Sequence, residues 1–380
     1  MFNYVYKDKT VFLTGHTGFK GSWMTVWLKS LGARIVGYSL EPQTQPNLFD
    51  TVDVSDGITH IIGDIRDYDN LVSVMRSCKP DMVFHMAAQP LVGRSYQDPR
   101  ATYEVNVMGT VNILNAVRHT DSVRVCVNVT SDKCYDNRGS IYAYRESDPM
   151  GGYDPYSASK GCAELVASAF RRSFFNPNRY DDHRVSLVSV RAGNVIGGGD
   201  WADDRIVPDC VRALAGGEAV RLRNPKAVRP WQYVLEPLSG YLWLGALLFQ
   251  NSTAFDYGWN FGPNGAKSVT VRELVESIIG FWGGGGVTIE AGNELTKFHE
   301  ADCLRLDSTK AGVVLGWHQV YGLEETIRST IEWYREFYKN KAFDAKGHTL
   351  SQIAAYSAKA RKAGLAWTSY RERPEWLERR

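Results

Sequence analysis

Short apolar runs rich in β-branched residues alternate with helical patterns along the first half of the chain. Continuous apolar runs of this length are typical of strands buried on both faces, as in a parallel sheet between two layers of helices. The alternation therefore predicts an α/β fold, a Rossmann-type doubly wound parallel sheet whose ligands bind beyond the carboxyl ends of the strands. The predicted strands are 10–14, 34–38, 60–63, 82–86, 124–130 and 185–191, and the predicted helices are 21–31, 67–77, 102–117 and 156–174.

The sequence pattern changes after Asn194, where segments rich in glycine, proline, tryptophan and arginine replace the alternation of strands and helices. Such segments are typical of loops that bind ligands rather than of a regular core. We therefore predict a Rossmann domain over residues 1–193 with a returning strand near 256–262. A smaller, loop-rich substrate lobe is expected over 194–355, and a peripheral tail over 356–380.

Composition narrows the function classes. Among the 380 residues, 44 basic and 42 acidic side chains are interspersed, with a formal net charge of +2, which argues against a general nucleic-acid binder. The six cysteines are scattered without a Cys-x-x-Cys pair, as in reduced cytoplasmic proteins. No stretch approaches the roughly 20 apolar residues of a membrane helix. We expect a cytoplasmic protein without a membrane segment, and we find no convincing metal-ligand spacing.

A glycine-rich turn joins the first predicted strand to the first predicted helix. Gly15, Gly18 and Gly21 have Gly-x-x-Gly-x-x-Gly spacing, which permits a tight turn and lets backbone N–H groups approach a pyrophosphate. Residues 37–45 contain no Lys or Arg that could bind a 2′-phosphate, so NAD is favoured over NADP. With the ends of the next three strands, the predicted cofactor site comprises Gly15, Thr17, Gly18, Phe19, Gly21, Ser39, Asp64, Ile65, Ala87, Ala88 and Gln89.

Tyr156 and Lys160 form a Tyr-x-x-x-Lys pair, which places a phenol and an ammonium one helical turn apart on the same face. A nearby cation and the positive charge of a nicotinamide both favour the phenolate. We therefore expect a lowered pKa for Tyr156 and a role as a base near neutral pH. The same two residues are expected to contact the cofactor.

Ser131, Asp132 and Lys133 end a strand whose carboxyl end is expected to face the cofactor. Ser131 can hydrogen-bond a substrate hydroxyl beside Tyr156. Asp132 and Lys133 offer an acid and a base beyond those that simple hydride transfer needs. This excess of acid–base groups favours a dehydratase over a dehydrogenase.

Beyond these local motifs, the chain contains six longer distinctive blocks, which are TGHTGFKGSW, HMAAQPLV, TSDKCY, MGGYDPYSASKGCAEL, RAGNVIGGGDWADDRIVPD and RPWQYVLEPLSGYLWL. These blocks resemble those of the CDP-glucose 4,6-dehydratases. That family belongs to the extended short-chain dehydrogenase/reductases and, among them, to the NAD-dependent epimerases and dehydratases. The resemblance extends from about residue 8 to about residue 355. In related dTDP-glucose dehydratases the strand end reads Thr-Asp-Glu, whereas Ser131-Asp132-Lys133 occupies that place here.

The resemblance implies an internal redox cycle on CDP-glucose in deoxysugar biosynthesis. Tyr156 would take the O4 proton while NAD+ accepts the C4 hydride, Lys133 would abstract the C5 hydrogen, and protonated Asp132 would help the 6-hydroxyl leave. Hydride return to C6 would give a 4-keto-6-deoxy sugar. Relatives commonly form homodimers through two long helices, here 102–117 and 156–174. The expected substrate contacts are Asn194, Arg205, Arg229 and Gln232.

Other functions remain open at this point. A nucleotide-sugar 4-epimerase shares the fold, the cofactor, Tyr156 and Lys160, but it needs no acid–base pair for water loss. A dehydratase of a dTDP-, GDP- or UDP-linked sugar would share the whole mechanism. A non-catalytic nucleotide-binding scaffold would have no use for the tyrosine and lysine pair. His299-Glu300 lies in a block that also resembles the family, without an assigned role, and His85 is expected to be a packed strand-end histidine.

Overall fold

A seven-stranded parallel sheet forms the centre of the computed structural model, which describes residues 1–369 except 252, 254, 256, 264–268 and 290–303. The strands, in chain order, are β1 (Thr10–Thr14), β2 (Arg34–Ser39), β3 (Thr59–Ile62), β4 (Met82–His85), β5 (Val125–Val129), β6 (Ser186–Ala192), β7 (Val195–Ile196), β8 (Val220–Leu222), β9 (Val228–Arg229), β10 (Gln232–Tyr233), β11 (Gly258–Phe261), β12 (Val269–Thr270) and β13 (Val287–Ile289). The central sheet has the order β11-β6-β5-β4-β1-β2-β3. The predicted doubly wound parallel sheet is confirmed.

Helices cover both faces of this sheet. Helices α3, α6 and α7 pack on one face, and α1 and α10 pack on the other. The helices are α1 (Phe19–Ser30), α2 (Leu48–Thr51), α3 (Tyr68–Cys78), α4 (Val92–Gln97), α5 (Pro99–Tyr103), α6 (Gly109–Arg118), α7 (Pro155–Ser173), α8 (Tyr180–His183), α9 (Ile206–Ala215), α10 (Leu235–Gln250), α11 (Val271–Trp282), α12 (Thr309–Leu315), α13 (Leu323–Lys339) and α14 (Ala345–Lys362). A π-helical segment, Glu104–Met108, joins α5 to α6. No helix in the described part of the chain is both long enough and apolar enough to cross a membrane.

The strand order reverses at β1, which pairs with β2 on one side and with β4 on the other. In open α/β sheets the crevice at such a switch point, beyond the carboxyl ends of the strands, is where ligands bind. The glycine turn follows β1, and the Ala87–Gln89 segment follows β4. The fold thus places two of the predicted cofactor segments side by side.

The second half of the chain contributes to both parts of the protein. Three small pairs of strands, β7 with β10, β8 with β13 and β9 with β12, build the second lobe together with α9, α11 and α13. Strand β11 returns to the central sheet beside β6, within the range where a returning strand is expected.

Helix α10 departs from the expectation of a loop-rich second half. Its residues from Leu235 to Leu248 are buried, and it packs against β5 and β6. Because it is apolar all round, it lacks the amphipathic pattern of a surface helix, and the glycine- and proline-rich segments around it obscured it.

Residues 356–380 were expected to form a peripheral tail, but the described part of that range lies in the largest hydrophobic cluster. Tyr356, Ala360 and Trp367 have no exposed surface, and Trp367 stacks on Phe2 with ring centroids 5.2 Å apart. The charged residues of α14 lie on its other face. The polar composition of this segment therefore gave no indication that Tyr356 and Trp367 pack into the core.

Candidate active site

Close backbone contacts that only glycine permits shape the turn between β1 and α1. Gly15 has a φ of +76°, and a Cβ there would lie 2.8 Å from the backbone nitrogen of Ala87. A Cβ on Gly21 would lie 2.0 Å from the carbonyl oxygen of Gly15. Gly18 is exposed at the N-cap of α1, and its Cβ position has no neighbour closer than 3.4 Å. The first N–H groups of α1 are thus open to an anion, which fits the pyrophosphate of a dinucleotide.

Hydrogen bonds tie this turn to the neighbouring strand ends. The Thr17 hydroxyl donates to the carbonyl oxygen of Leu40 at 2.8 Å and lies 2.9 Å from the Ser39 hydroxyl, at the end of β2. The backbone N–H of Ala87 donates to the Thr14 hydroxyl at 3.1 Å. The structure therefore brings the predicted cofactor residues from the first, second and fourth strand ends into one cleft.

The Ala88-Gln89 segment is connected to the catalytic helix through a buried asparagine. The backbone N–H of Gln89 donates to Asn106 Oδ1 at 2.8 Å, and Asn106 Nδ2 donates to the Ser159 hydroxyl of α7 at 2.9 Å. Ala88 is half-buried beside them. One side chain thus sets the distance between a predicted cofactor segment and the helix that carries Tyr156 and Lys160.

The third strand end contributes in two different ways. The Asp64 carboxylate accepts hydrogen bonds from Arg66 Nε at 2.9 Å and Nη2 at 2.5 Å, and these bonds lower the pKa of Asp64. Ile65 is buried against α6, where a Cβ on Gly109 would lie 2.4 Å from its Cδ1. Asp64 can present an anion to a ligand, whereas the Ile65 side chain serves the core.

Tyr156 and Lys160 lie near the start of α7 and are almost completely buried, with 8% and 6% of their surfaces exposed. The helix begins at Pro155, and Asp154 caps it by accepting the backbone N–H of Ser157 at 2.9 Å. Proline at the first helical position and aspartate before it are favourable, because both suit a turn with unpaired N–H groups. The cap fixes where the catalytic helix starts.

The electrostatics of this pair differ from the sequence-based expectation. Burial raises the pKa of Tyr156 to about 12, although a hydrogen bond with Ser131 and the charge of Arg205 act to lower it. Burial, together with the charge of the nearby Lys20, lowers the pKa of Lys160 to about 8. Desolvation of the phenolate thus outweighs the neighbouring charges in the protein by itself, and a lowered pKa of Tyr156 beside the nicotinamide stays a prediction.

Ser131, Asp132 and Lys133 form a tight turn at the end of β5. The Ser131 hydroxyl donates to Asp132 Oδ1 at 2.9 Å and accepts the backbone N–H of Lys133 at 3.2 Å. Asp132 is buried against Gly193, and burial raises its pKa, although Lys133 and the Ser131 hydrogen bond act against that rise. A carboxyl group with a raised pKa can hold a proton to donate, and half-buried Lys133 lies next to it.

The predicted substrate residues Asn194, Arg205 and Arg229 lie on three different segments of the second half of the chain. Asn194 is half-buried after β6, and its side chain makes no hydrogen bond within the described residues. Arg205 donates to Asp200 at 2.7 Å just before α9, and its charge acts on Tyr156. Arg229 lies in β9, where its charge lowers the pKa of Asp132. Arg205 and Arg229 thus act electrostatically on Tyr156 and Asp132 from the second half of the chain.

Gln232 does not fit the substrate contact expected for it. It has no exposed surface, and its Nε2 donates to the carbonyl oxygen of Phe261 at 3.0 Å. Its backbone N–H donates to the carbonyl oxygen of Asn194 at 2.9 Å. Gln232 therefore supports the Asn194 segment from behind, because β10 pairs with β7 in parallel.

Lys20 is a residue of the cleft that sequence reasoning missed. It lies in the first turn of α1, and its ammonium has no hydrogen bond or ion pair with any described residue. Burial and the charge of Arg205 lower the pKa of Lys20 to about 8, and Asp132 acts in the opposite direction. Lys20 therefore adds a buried cation that interacts with both Asp132 and Lys160. The sequence did offer a signal for Lys20, because this lysine lies within the glycine-rich segment, between Gly18 and Gly21.

Two further sequence expectations have simple outcomes. His85 is buried at the end of β4, with Nδ1 2.9 Å from the Thr14 hydroxyl and Nε2 3.2 Å from the Thr110 hydroxyl, as expected for a packed histidine. His299-Glu300 lies outside the described residues. Among the residues that are described, no group of three or more His, Cys, Asp or Glu side chains is arranged to hold a metal ion.

Comparisons with known proteins identify the family of the chain. A family model described as GDP-mannose 4,6 dehydratase matches residues 12–330. CDP-glucose 4,6-dehydratase of Salmonella typhimurium is 50% identical over 336 residues, which are 88% of this chain and 93% of that protein.

Two solved structures have the same fold. The dTDP-glucose 4,6-dehydratase of Bacillus anthracis in complex with NAD has a TM-score of 0.71 at 21% identity, over 88% of this chain and 97% of that chain. MoeE5 in complex with UDP-glucose and NAD also has a TM-score of 0.71, at 25% identity, over 86% of this chain and 99% of that chain.

Proposed function

Because the chain belongs to the GDP-mannose 4,6-dehydratase family, we propose that it removes water from a nucleotide sugar and that this sugar is CDP-glucose. The observation that carries the reaction type is the Ser131-Asp132-Lys133 turn. It brings a buried carboxyl group with a raised pKa and a lysine next to Tyr156. The product would be CDP-4-keto-6-deoxyglucose, and the enzyme would be a hydro-lyase despite its oxidoreductase fold.

The cofactor of the proposed reaction is NAD, held by the glycine turn and the neighbouring strand ends. The exposed N-terminus of α1 suits the pyrophosphate, and the end of β2 offers the Ser39 hydroxyl rather than a cation for a 2′-phosphate. Bound there, NAD+ would accept a hydride from C4 of the sugar and later return it to C6.

Tyr156 would receive the O4 proton of the sugar. Its phenol hydrogen-bonds with Ser131, which places the serine where it can also orient the 4-hydroxyl. Burial outweighs the hydrogen bond with Ser131 and the charge of Arg205 and raises the pKa of Tyr156 to about 12, so the ionisation of the phenol depends on added positive charge. Lys20 lies close enough to Lys160 to lower its pKa, and both would supply such charge beside a cationic nicotinamide.

Asp132 and Lys133 would carry out the loss of water. Lys133 would take the C5 hydrogen as a proton, which the 4-ketone makes acidic, and protonated Asp132 would give its proton to the departing 6-hydroxyl. Lys133 would then return a proton to C5 when hydride reaches C6. Tyr156 ends with one extra proton and Asp132 with one fewer, so a proton transfer from tyrosine to aspartate resets the site.

The nucleotide portion of the substrate is assigned from similarity together with charge. The relative from Salmonella typhimurium acts on CDP-glucose by its name, at 50% identity over most of both chains. Arg205 and Arg229 offer guanidinium groups for a diphosphate, which arginine binds in a bidentate manner. Asn194 adds an unpaired amide between them and the catalytic turn.

We further propose a cytoplasmic homodimer that pairs through the helical segments at 102–117 and 156–174. Four large apolar side chains on these helices are exposed, by 38% to 61% of their surfaces, which is unusual for a face in contact with water. The cytoplasmic location is supported by free thiols at all the described cysteines. The four side chains are Tyr103, Met108, Leu165 and Phe174.

A substrate panel tests the proposed function. The purified protein is incubated separately with CDP-, dTDP-, GDP- and UDP-glucose without added NAD, and a 4-keto product is followed by its ultraviolet absorbance in alkali. We expect the CDP sugar to react. Turnover of another sugar alone would keep the mechanism and refute the substrate, and a 4-epimer without a 4-keto product would refute the mechanism.

A further inference from the structure

A buried ion pair lies directly behind the catalytic groups. Arg191 of β6 donates to Glu164 of α7 through Nε at 2.8 Å and Nη2 at 2.9 Å. The two side chains are 2% and 1% exposed. Glu164 lies one helical turn beyond Lys160 and two beyond Tyr156, and Arg191 lies three residues before Asn194. The pair therefore joins the helix that carries the tyrosine to the strand that leads into the substrate segment.

The third catalytic segment is tied to the same carboxylate. The Thr130 hydroxyl donates to Glu164 Oε1 at 2.5 Å, and Thr130 immediately precedes the Ser131-Asp132-Lys133 turn. On the other side of that turn, the Tyr135 hydroxyl accepts from Arg191 Nη1 at 2.6 Å and donates to Asn260 at 2.7 Å. The turn is thus held at both ends by one ion pair.

Stability does not explain why charged groups occupy this place. Burial works against the charge of Arg191, but the ion pair with Glu164 raises its pKa above the ordinary value. A buried ion pair loses most of its Coulomb gain to desolvation, and apolar residues of similar volume often stabilise a protein equally well. The pair instead fixes the relative orientation of the two side chains, because a guanidinium group forms two parallel hydrogen bonds with a carboxylate.

We propose that Glu164, Arg191 and Thr130 are positioning residues that align the Ser131-Asp132-Lys133 turn with Tyr156 and Lys160. This inference rests on the proposed function, since it assigns the alignment to water loss at C5 and C6 after oxidation at C4. All three residues are almost completely buried. They act through the backbone segments on which the catalytic groups lie.

The connections predict an unequal effect on the two chemical stages. Tyr156 and Lys160 share one helix, so their mutual geometry does not depend on the ion pair. The turn that carries Asp132 and Lys133 belongs to another element, and the bond from Thr130 to Glu164 is one of its links to that helix. Loosening this link should therefore slow water loss more than C4 oxidation, and reduced cofactor should accumulate during turnover.

The most conservative test is Thr130→Val, which removes the hydroxyl but leaves both bonds of the ion pair. Thr330→Val is the matched control, because Thr330 is also fully buried and its hydroxyl bonds to the carbonyl oxygen of Thr326 in α13, far from the site. Arg191→Lys is the second variant, since lysine keeps the charge and loses the fork. The measurements with CDP-glucose are kcat, KM, the 340 nm absorbance of reduced cofactor in the steady state, C5 hydrogen exchange with solvent, and Tm.

We expect Thr130→Val to lower kcat by about tenfold with KM changed by less than about threefold, a loss equivalent to ~1.4 kcal/mol at the barrier. In both site variants the 340 nm absorbance should rise and C5 exchange should slow. Thr330→Val should match the wild type in kcat, in the 340 nm absorbance and in C5 exchange. Equal losses of oxidation and water loss, or unchanged kinetics at a lowered Tm, would overturn the positioning role. A wild-type protein that forms no 4-keto product would instead refute the proposed function.

Discussion

Alanine substitutions at Gly18 and Gly21 separate a cofactor role of the turn from a structural one. A Cβ at Gly18 meets nothing closer than 3.4 Å, and its φ of −79° suits any residue. The Gly18→Ala protein should therefore fold with a loss of stability below about 1 kcal/mol, which is the cost of replacing glycine by alanine at an N-cap. The methyl group would stand where the pyrophosphate approaches the helix.

The affinity loss follows from the hydrogen bonds at stake. The added methyl group should push the pyrophosphate away from the helix N-terminus. This shift should weaken one or two charge-assisted hydrogen bonds from backbone N–H groups, each worth about 1.5–3 kcal/mol. Because 1.4 kcal/mol is about a factor of ten in affinity, Gly18→Ala should bind NAD about 10- to 100-fold more weakly. At Gly21 the added carbon would lie 2.0 Å from the Gly15 carbonyl oxygen, so that alanine should weaken NAD binding and lower the stability together.

The assay combines NAD titration of protein stripped of cofactor with urea unfolding of the same samples. Gly280→Ala is the control, because Gly280 lies within α11 with open space around it, and alanine there should stabilise by about 0.5–1 kcal/mol without affecting NAD. Unchanged NAD affinity in Gly18→Ala would refute the placement of the pyrophosphate. A stable Gly21→Ala protein would refute the packing argument.

Three further substitutions test the acid–base groups. Asp132→Asn should allow C4 oxidation but strongly slow water loss, so that the 340 nm absorbance of reduced cofactor accumulates. In the residual turnover of this variant, the decrease of kcat as pH rises through the raised pKa of Asp132 should disappear, and a retained decrease would assign it to another group. Lys133→Ala should abolish C5 hydrogen exchange with solvent, and exchange at the normal rate would show that Lys133 is not the base. Lys20→Met should raise the pKa of Lys160 from about 8 and shift the alkaline limb of the pH profile of kcat to higher pH. An unshifted limb would show that the charge of Lys20 does not act on Lys160.

The fold and the chemistry of the strand ends were largely predictable from the sequence. Strand β1 coincides with the predicted range, because a buried apolar run has a clear signal on both sides. Helix α1 begins at Phe19, two residues before its predicted start, since Gly18 acts as the cap. The Tyr156 and Lys160 pair and the Ser131-Asp132-Lys133 turn were identified because local spacing specifies each of them.

What the sequence did not reveal depends on contacts between distant segments. Thr130, Glu164 and Arg191 are 27 to 61 positions apart, and their meeting requires three elements of the folded sheet. The raised pKa of Tyr156 in the protein by itself was not foreseen for a similar reason, because spacing shows a neighbouring cation but not the depth of burial. Gln232 was taken for a substrate contact because a sequence block does not show which side of the cleft wall a residue occupies.

The central claim is that one bound sugar is oxidised at C4, dehydrated and then reduced at C6. CDP-glucose carrying deuterium at C4 tests it directly when it is mixed with 13C-labelled CDP-glucose that carries no deuterium, and the products are examined by mass spectrometry and NMR. The account predicts a 4-keto-6-deoxy product with deuterium at C6 only in the molecules that lack 13C. Deuterium retained at C4, or distributed to the 13C-labelled product, or lost to solvent would contradict it.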